Sequence, residues 1–184
     1  MMTRQEAYDY LCSKITNENL RRHCLASEAI MRKLAAKFGE DQDLWGLAGL
    51  IHDVDLEAIA ADPKRHAQTA ADWLAGQVPD TVVGAIRAHN AEELGFSRQS
   101  RFEHALAAAE TLTGMIVAMA LILPEKKLAG VKTKSILKRM KEKQFAAGVN
   151  RETILECEKI GLPLDEFVTI GIAAMQEIHE SLGM

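Results

Sequence analysis

The chain has 184 residues, 48% of them hydrophobic and 26% charged, and a formal net charge of −4. That is enough apolar material for one sizeable core, and it excludes disordered and collagen-like chains. The negative balance argues against nucleic acid as a partner, and three widely spaced cysteines, Cys12, Cys24 and Cys157, with no CxxC pair, point to reduced thiols and a cytoplasmic location.

Few aromatics beside abundant Ala, Leu, Ile and Met favour helices, and no run alternates strictly enough to predict a strand. The opening "MMTRQEAYDYL" is amphipathic and lacks the apolar core of a signal peptide. "NENLRRHCLASEAIMRKLAAKFG" is a long helix capped at Asn17 or Asn19 and stopped by Gly39, with His23, Ser27, Ile30, Met31, Leu34 and Phe38 on one stripe. The next helix, "DQDLWGLAGLIHDVD", is apolar on most sides and ends in His52 and Asp53. In "DPKRHAQTAADWLAGQ", Asp62 is the N-cap and Pro63 the first helical residue, and His66 shares a face with Ala70, Trp73 and Leu74. "DTVVGAIRAHN" brings Val82, Ile86 and His89 to one side, and "AEELGFSRQS" reads as a loop. Arg101 to Leu123 is an apolar helix closed by Pro124. Its stretch from Ala105 is long enough to cross a bilayer, but Glu110, Thr111 and Thr113 interrupt it, so a buried central helix is the better reading. A basic helix over 133–147 follows, then "NRETILECEKIG", capped by Asn150 and stopped by Gly161, and finally "PLDEFVTIGIAAMQEIHESLG". The expectation is an all-α, single-domain bundle over 1–184 around that apolar helix, with a motif region at about 20–124 and the C-terminal helices 132–184 packed on it.

Four of the six histidines, His23, His52, His66 and His89, therefore sit on apolar faces near helix ends, and Glu110 is the only ionisable residue between His104 and Pro124. Taken singly, an inward histidine is usually a core residue bonded to a carbonyl, and a lone buried Glu can stay neutral. One or two divalent cations, held in mid-bundle by imidazole nitrogens and carboxylate oxygens, would account for all five residues together. Such donors suit iron, manganese, cobalt, nickel or zinc better than calcium.

The order of these residues resembles the HD superfamily of metal-dependent phosphohydrolases, in its HDIG-like branch. The matching stretches are "RRHCLASEAI", "LAGLIHDVDLE", "DPKRHAQTAADWL", "AIRAHN" and "ALAAAETLTG". The resemblance implies that His23, His52 and Asp53 are the core metal ligands, with Glu110 as the closing acid. It implies that His66 and His89 bind a second cation or contact the substrate phosphate, and that Asp53 bridges when two cations are present. Two departures stand out: the closing acid is normally Asp, and a lysine that often follows the His-Asp pair is replaced by Asp55 and Glu57 in "HDVDLE". Phosphate recognition then falls to Lys64, Arg65, Arg87 or the basic segment Lys126 to Lys143, each of which also reads as solvated surface.

The reaction implied is metal-assisted hydrolysis of a small phosphorylated metabolite or nucleotide, with Asp53, His66 and His89 as catalytic residues and His66 or His89 as the general acid when not bound to metal. The expected partner is that substrate, with no membrane and no nucleic acid, and with a homodimer as the oligomeric form to test. The rival readings are a non-catalytic regulatory module that binds metal and nucleotide, and a purely structural bundle with hydrogen-bonded histidines.

Overall fold

The computed structural model describes residues 2–184, which are helical with no strand among the described residues. The helices are α1 (Arg4–Lys14), α2 (Glu18–Phe38), α3 (Gln42–Ile51), α4 (Gln68–Leu74), α5 (Asp80–His89), α6 (Ala91–Leu94), α7 (Arg101–Ile122), α8 (Thr133–Met140), α9 (Arg151–Leu155), α10 (Leu164–Glu177) and α11 (His179–Leu182). Two 3₁₀ turns cover Leu128–Gly130 and Glu156–Ile160.

The polar residues at the helix ends explain where most of them begin. Thr3 with Glu6, and Ser100 with Glu103, form capping boxes for α1 and α7. Asn17, Asp41 and Asn150 cap α2, α3 and α9 through their side chains. α2 ends where Gly39 turns left-handed.

Helix α7 is the axis of the bundle and packs against α2, α5, α9, α10 and the 3₁₀ turn Glu156–Ile160. It is long and apolar enough to cross a membrane, but most of its apolar stretch is buried among these neighbours. α2 and α3 form the most extensive helix pair, with α1 on the outer side of α3 and α10 on α2. Gly49 permits that pairing: a Cβ there would stand 2.8 Å from the Ser27 carbonyl oxygen and from the Glu28 amide nitrogen. The two backbones touch one turn from His23 and one turn from His52.

The helix expected from Asn150 is α9 followed by a 3₁₀ turn, the last expected helix breaks at Ile178 into α10 and α11, and three further elements differ from the sequence expectation. Asp62 does cap a turn, accepting from the Lys64 amide at 3.0 Å, but Ala67 turns left-handed (φ 68°) and the regular helix starts only at Gln68. The cause is Asp55, whose buried carboxylate accepts from the amides of Ala67 at 2.8 Å and Ala70 at 3.0 Å. The basic helix stops at Met140 rather than near 147, because the Arg151 guanidinium gathers the carbonyls of Glu142, Phe145, Ala146 and Val149 and winds 141–149 into turns. The stretch read as a loop after Asn90 contains α6, which Gly95 ends at φ 76°.

Candidate metal centre

Five residues from four chain segments converge at one point inside the bundle. His23 comes from α2, His52 caps the end of α3, Asp53 opens the turn after it, His66 precedes α4 and His89 ends α5. The Asp53 carboxylate is the hub. Its Oδ1 lies 3.3 Å from His52 Nε2 and 3.4 Å from Nε2 of both His66 and His89, while its Oδ2 lies 3.4 Å from His23 Nε2. The imidazoles also meet in pairs, His23 Nε2 at 3.1 Å from His52 Nε2 and His66 Nε2 at 2.8 Å from His89 Nε2. The result is two triads, His23–His52–Asp53 and Asp53–His66–His89, that share one carboxylate.

The outer ring nitrogens determine what those close pairs are. His52 Nδ1 donates to the Gly49 carbonyl at 2.9 Å, His89 Nδ1 to the Ile86 carbonyl, and His66 Nδ1 to Asp55 at 2.9 Å. The Thr113 hydroxyl donates to the Glu110 carbonyl at 2.7 Å, so it accepts from His23 Nδ1 at 2.8 Å. With Nδ1 protonated in all four, each neutral ring presents a bare lone pair at Nε2. Facing lone pairs at 2.8 and 3.1 Å repel unless a cation or a proton lies between them. Donors at right angles around an ion with bonds of about 2.1 Å stand about 3.0 Å apart, so this spacing fits a shared divalent cation.

The charges agree. Asp53 is buried, and among the described residues its ion-pair neighbours are imidazoles, with no lysine or arginine. Burial pushes His52 down to about 3, so that ring is neutral at pH 7 and ready to ligate. Burial pulls His23 and His66 down too, but hydrogen bonds to Asp53 and to Asp55 respectively, with the nearby carboxylates, hold both above the ordinary value. Burial alone would raise Asp53, yet the surrounding imidazoles hold it well below the usual carboxylate range. Where no cation is bound, a proton on His23 or His66 takes part of its place.

Glu110 stands apart from both triads. Its Oε2 is 3.8 Å from His23 Nε2, its Oε1 meets the Thr111 hydroxyl, and burial raises its carboxyl against the pull of His23. It borders the mouth over the cluster, a cleft of about 370 Å³ whose walls include His23, His89, Glu92 and Glu93. No lysine or arginine lines that mouth. Lys64, Arg65 and Arg87, expected to meet phosphate, are not among its lining residues. Lys64 and Arg65 are exposed on the capped turn before α4, and Arg87 lies on the exposed face of α5 over the Phe96 ring. The basic segment borders a separate surface groove through Lys132, Lys134, Lys138 and Lys141.

Three residues that support the cluster are not evident as such in the sequence. Asp55, which stands where the resemblance leads one to expect a lysine, fixes the His66 ring and the start of α4 together. Its signal is an acid set among apolar residues two positions after Asp53. Thr113, one turn beyond Glu110, fixes the His23 ring. Arg98, almost fully buried, donates to the His89 carbonyl at 2.7 Å and pairs with Glu92 and Glu156, and Glu156 in turn accepts from His104 at 2.8 Å. Glu57 acts elsewhere. Exposed, it accepts from the amides of Thr16 and Asn17 just before α2.

No curated protein and no solved structure matches the chain. The sequence profile of the HD domain matches residues 20–123, more than half of the chain, and that span carries His23, His52, Asp53, His66, His89 and Glu110. With the His-Asp pair at the hub of two triads and the profile running from α2 through α7, the chain belongs to the HD domain family.

Proposed function

We propose that the chain is a metal-dependent phosphohydrolase acting on a small phosphorylated metabolite or nucleotide. Family membership supports the reaction class, since HD domains are typically metal-dependent hydrolases. The observation that carries the reading is the pair of triads sharing Asp53, with four Nε2 lone pairs turned inward and four Nδ1 protons tied off. His23, His52 and Asp53 would hold one cation and Asp53, His66 and His89 a second. A divalent ion at these donors supplies Lewis acidity toward a phosphoryl oxygen and lowers the pKa of the water it binds.

The chain's own groups do the rest. Asp53 and the neutral His52 are shut away from solvent, which keeps bulk water from the innermost donors. His66 is backed by Asp55, so its ring bears a positive charge at modest cost and can hold or release a proton at Nε2 when it is not a ligand. His89 lines the mouth, with its Nε2 2.8 Å from His66 Nε2. Glu110, one bond longer than Asp and 3.8 Å from His23, would close the first donor set from the mouth side.

Metal analysis of purified protein, with hydrolysis of p-nitrophenyl phosphate and bis-p-nitrophenyl phosphate in Mn²⁺, Co²⁺ or Fe²⁺, tests this reading. The expected result is bound metal and turnover, both lost in His52→Ala and Asp53→Asn. Protein that takes up no metal, with His52→Ala indistinguishable from wild type, would overturn it. A second reading, a regulatory module that binds metal and a nucleotide without turnover, draws support from the mouth lined by Glu92, Glu93 and Glu110 with no cation to receive phosphate. Metal-loaded protein inert on broad phosphate-ester panels, yet stabilised by a nucleotide, would favour it.

A further inference from the structure

A second cleft meets the cluster at His23. It measures about 610 Å³ and shares His23, Thr113 and Gly114 with the mouth, so His23 is a wall common to both. The two clefts differ in the charged side chains that line them. The mouth has three carboxylates, Glu92, Glu93 and Glu110, and no cation. The second cleft has Arg22 and Lys126 and no aspartate or glutamate in its lining. Its remaining walls are mostly apolar, with Ala26, Val117, Leu121 and Met175 among them. Arg22 has an exposed partner, Glu18, at 3.3 Å, a pairing that solvent weakens and that leaves the guanidinium available at the cleft. At its rim Leu121 is 52% exposed, beside Ile122, which is exposed to the same extent.

Taking the metal-centre reading as its basis, we propose that this second cleft is the substrate site, and that it selects a soluble phosphate monoester with a compact apolar body. The volume lies within the range that encloses a small organic ligand. Arg22 and Lys126 attract the anion, which the acidic mouth repels, and the apolar wall covers the organic part. The phosphate then sits against the His23 side of the cluster. Specificity comes from the length and shape of the apolar body rather than from contacts to a base or sugar.

The test is calorimetric titration of the whole chain, metal-free and cobalt-loaded, with methyl, butyl, hexyl and octyl phosphate. Burial of each added methylene predicts a Kd falling about fourfold per carbon until the cleft is filled. Cobalt is expected to tighten every member of the series by a similar factor. Val117→Trp is expected to flatten the chain-length dependence, and Leu121→Asp, at an exposed position that tolerates change, should do the same if the larger substitution disturbs folding. Arg22→Ala with Lys126→Ala should weaken octyl phosphate and leave octanol unaffected. A Kd independent of chain length in protein that still binds cobalt and hydrolyses p-nitrophenyl phosphate would overturn the cleft assignment alone. A chain-length dependence that cobalt never tightens would overturn both this assignment and the metal-centre reading.

Discussion

Asp55 shows how one side chain serves fold and site together. Its carboxylate accepts from His66 Nδ1 and from the first free amides of α4, so the left-handed backbone at Ala67 and the orientation of the His66 ring share one cause. In Asp55→Asn the amide group can accept on one side only, and its NH₂ faces donors on the other. The His66 proton is then free to move to Nε2, which removes the lone pair from the second triad. Loss of such an outer partner typically costs 10–100-fold in metal affinity. Competitive titration with a chromophoric chelator should show one of two cobalt sites, the one at His66 and His89, lowered by that factor and the His23–His52 site nearly unchanged. Equal weakening of both sites would contradict the division into two triads. The histidines themselves were legible in the sequence, because an imidazole on an apolar stripe breaks a pattern. Asp55, Thr113 and Arg98 were not, since their roles depend on partners 11, 90 and 9 positions away.

At the scale of elements, periodicity and caps were enough for α2, α5 and α7, whose packing follows from their own apolar faces. They were insufficient for α4 and α8, where a buried carboxylate and a guanidinium from elsewhere compete for the backbone. The α2–α3 contact gives a sharp test of that geometry. In Gly49→Ala the new methyl meets backbone atoms of Ser27 and Glu28 at 2.8 Å, and backbone cannot rotate away. The helices must separate, at a cost of about 1–3 kcal/mol. In Gly84→Ala, within α5, the methyl meets nothing, and the same substitution should stabilise by about 0.5–1 kcal/mol. Denaturant unfolding of both variants is expected to give opposite signs, with metal affinity reduced only in Gly49→Ala because His23 and His52 flank the contact. The network of Arg98, Glu156 and His104 joins α7 to the 3₁₀ turn that follows α9. Burial works to raise the Glu156 carboxyl, but His104 and Arg98 outweigh it and hold it below the ordinary value. A carboxylate depressed on folding adds stability above its unfolded pKa and loses it as pH falls through the folded one. Melting temperature of wild type should therefore drop more steeply than that of Glu156→Gln as pH falls below the ordinary carboxylate range, and parallel curves would show that the network adds nothing.

For the whole molecule, the decisive feature is that the candidate ligands come from segments spread between residues 23 and 89, with Glu110 beyond them on the central helix. No short piece of chain can assemble such a site, so cation binding and the folded arrangement of α2, α3, α4 and α5 are linked. A ligand that binds only the folded state stabilises it by about 2.7 kcal/mol at a hundred times its Kd. For a chain of this size one kcal/mol moves the melting temperature by about 2–4 °C. Saturating cobalt should thus raise the melting temperature by about 5–10 °C over chelator-treated protein, and the gain should grow with the logarithm of metal concentration. A bundle whose histidines serve only as hydrogen-bonded core residues predicts no difference between the two curves. The variants separate the contributions further. Asp53→Asn removes the shared carboxylate and is expected to abolish the gain; in the metal-free protein it also withdraws a charge that the surrounding imidazoles favour in the folded state. The variant should then melt below metal-free wild type and give the same curve with cobalt as with chelator. An Asp53→Asn protein that cobalt still stabilises as much as wild type would place the cation away from the two triads.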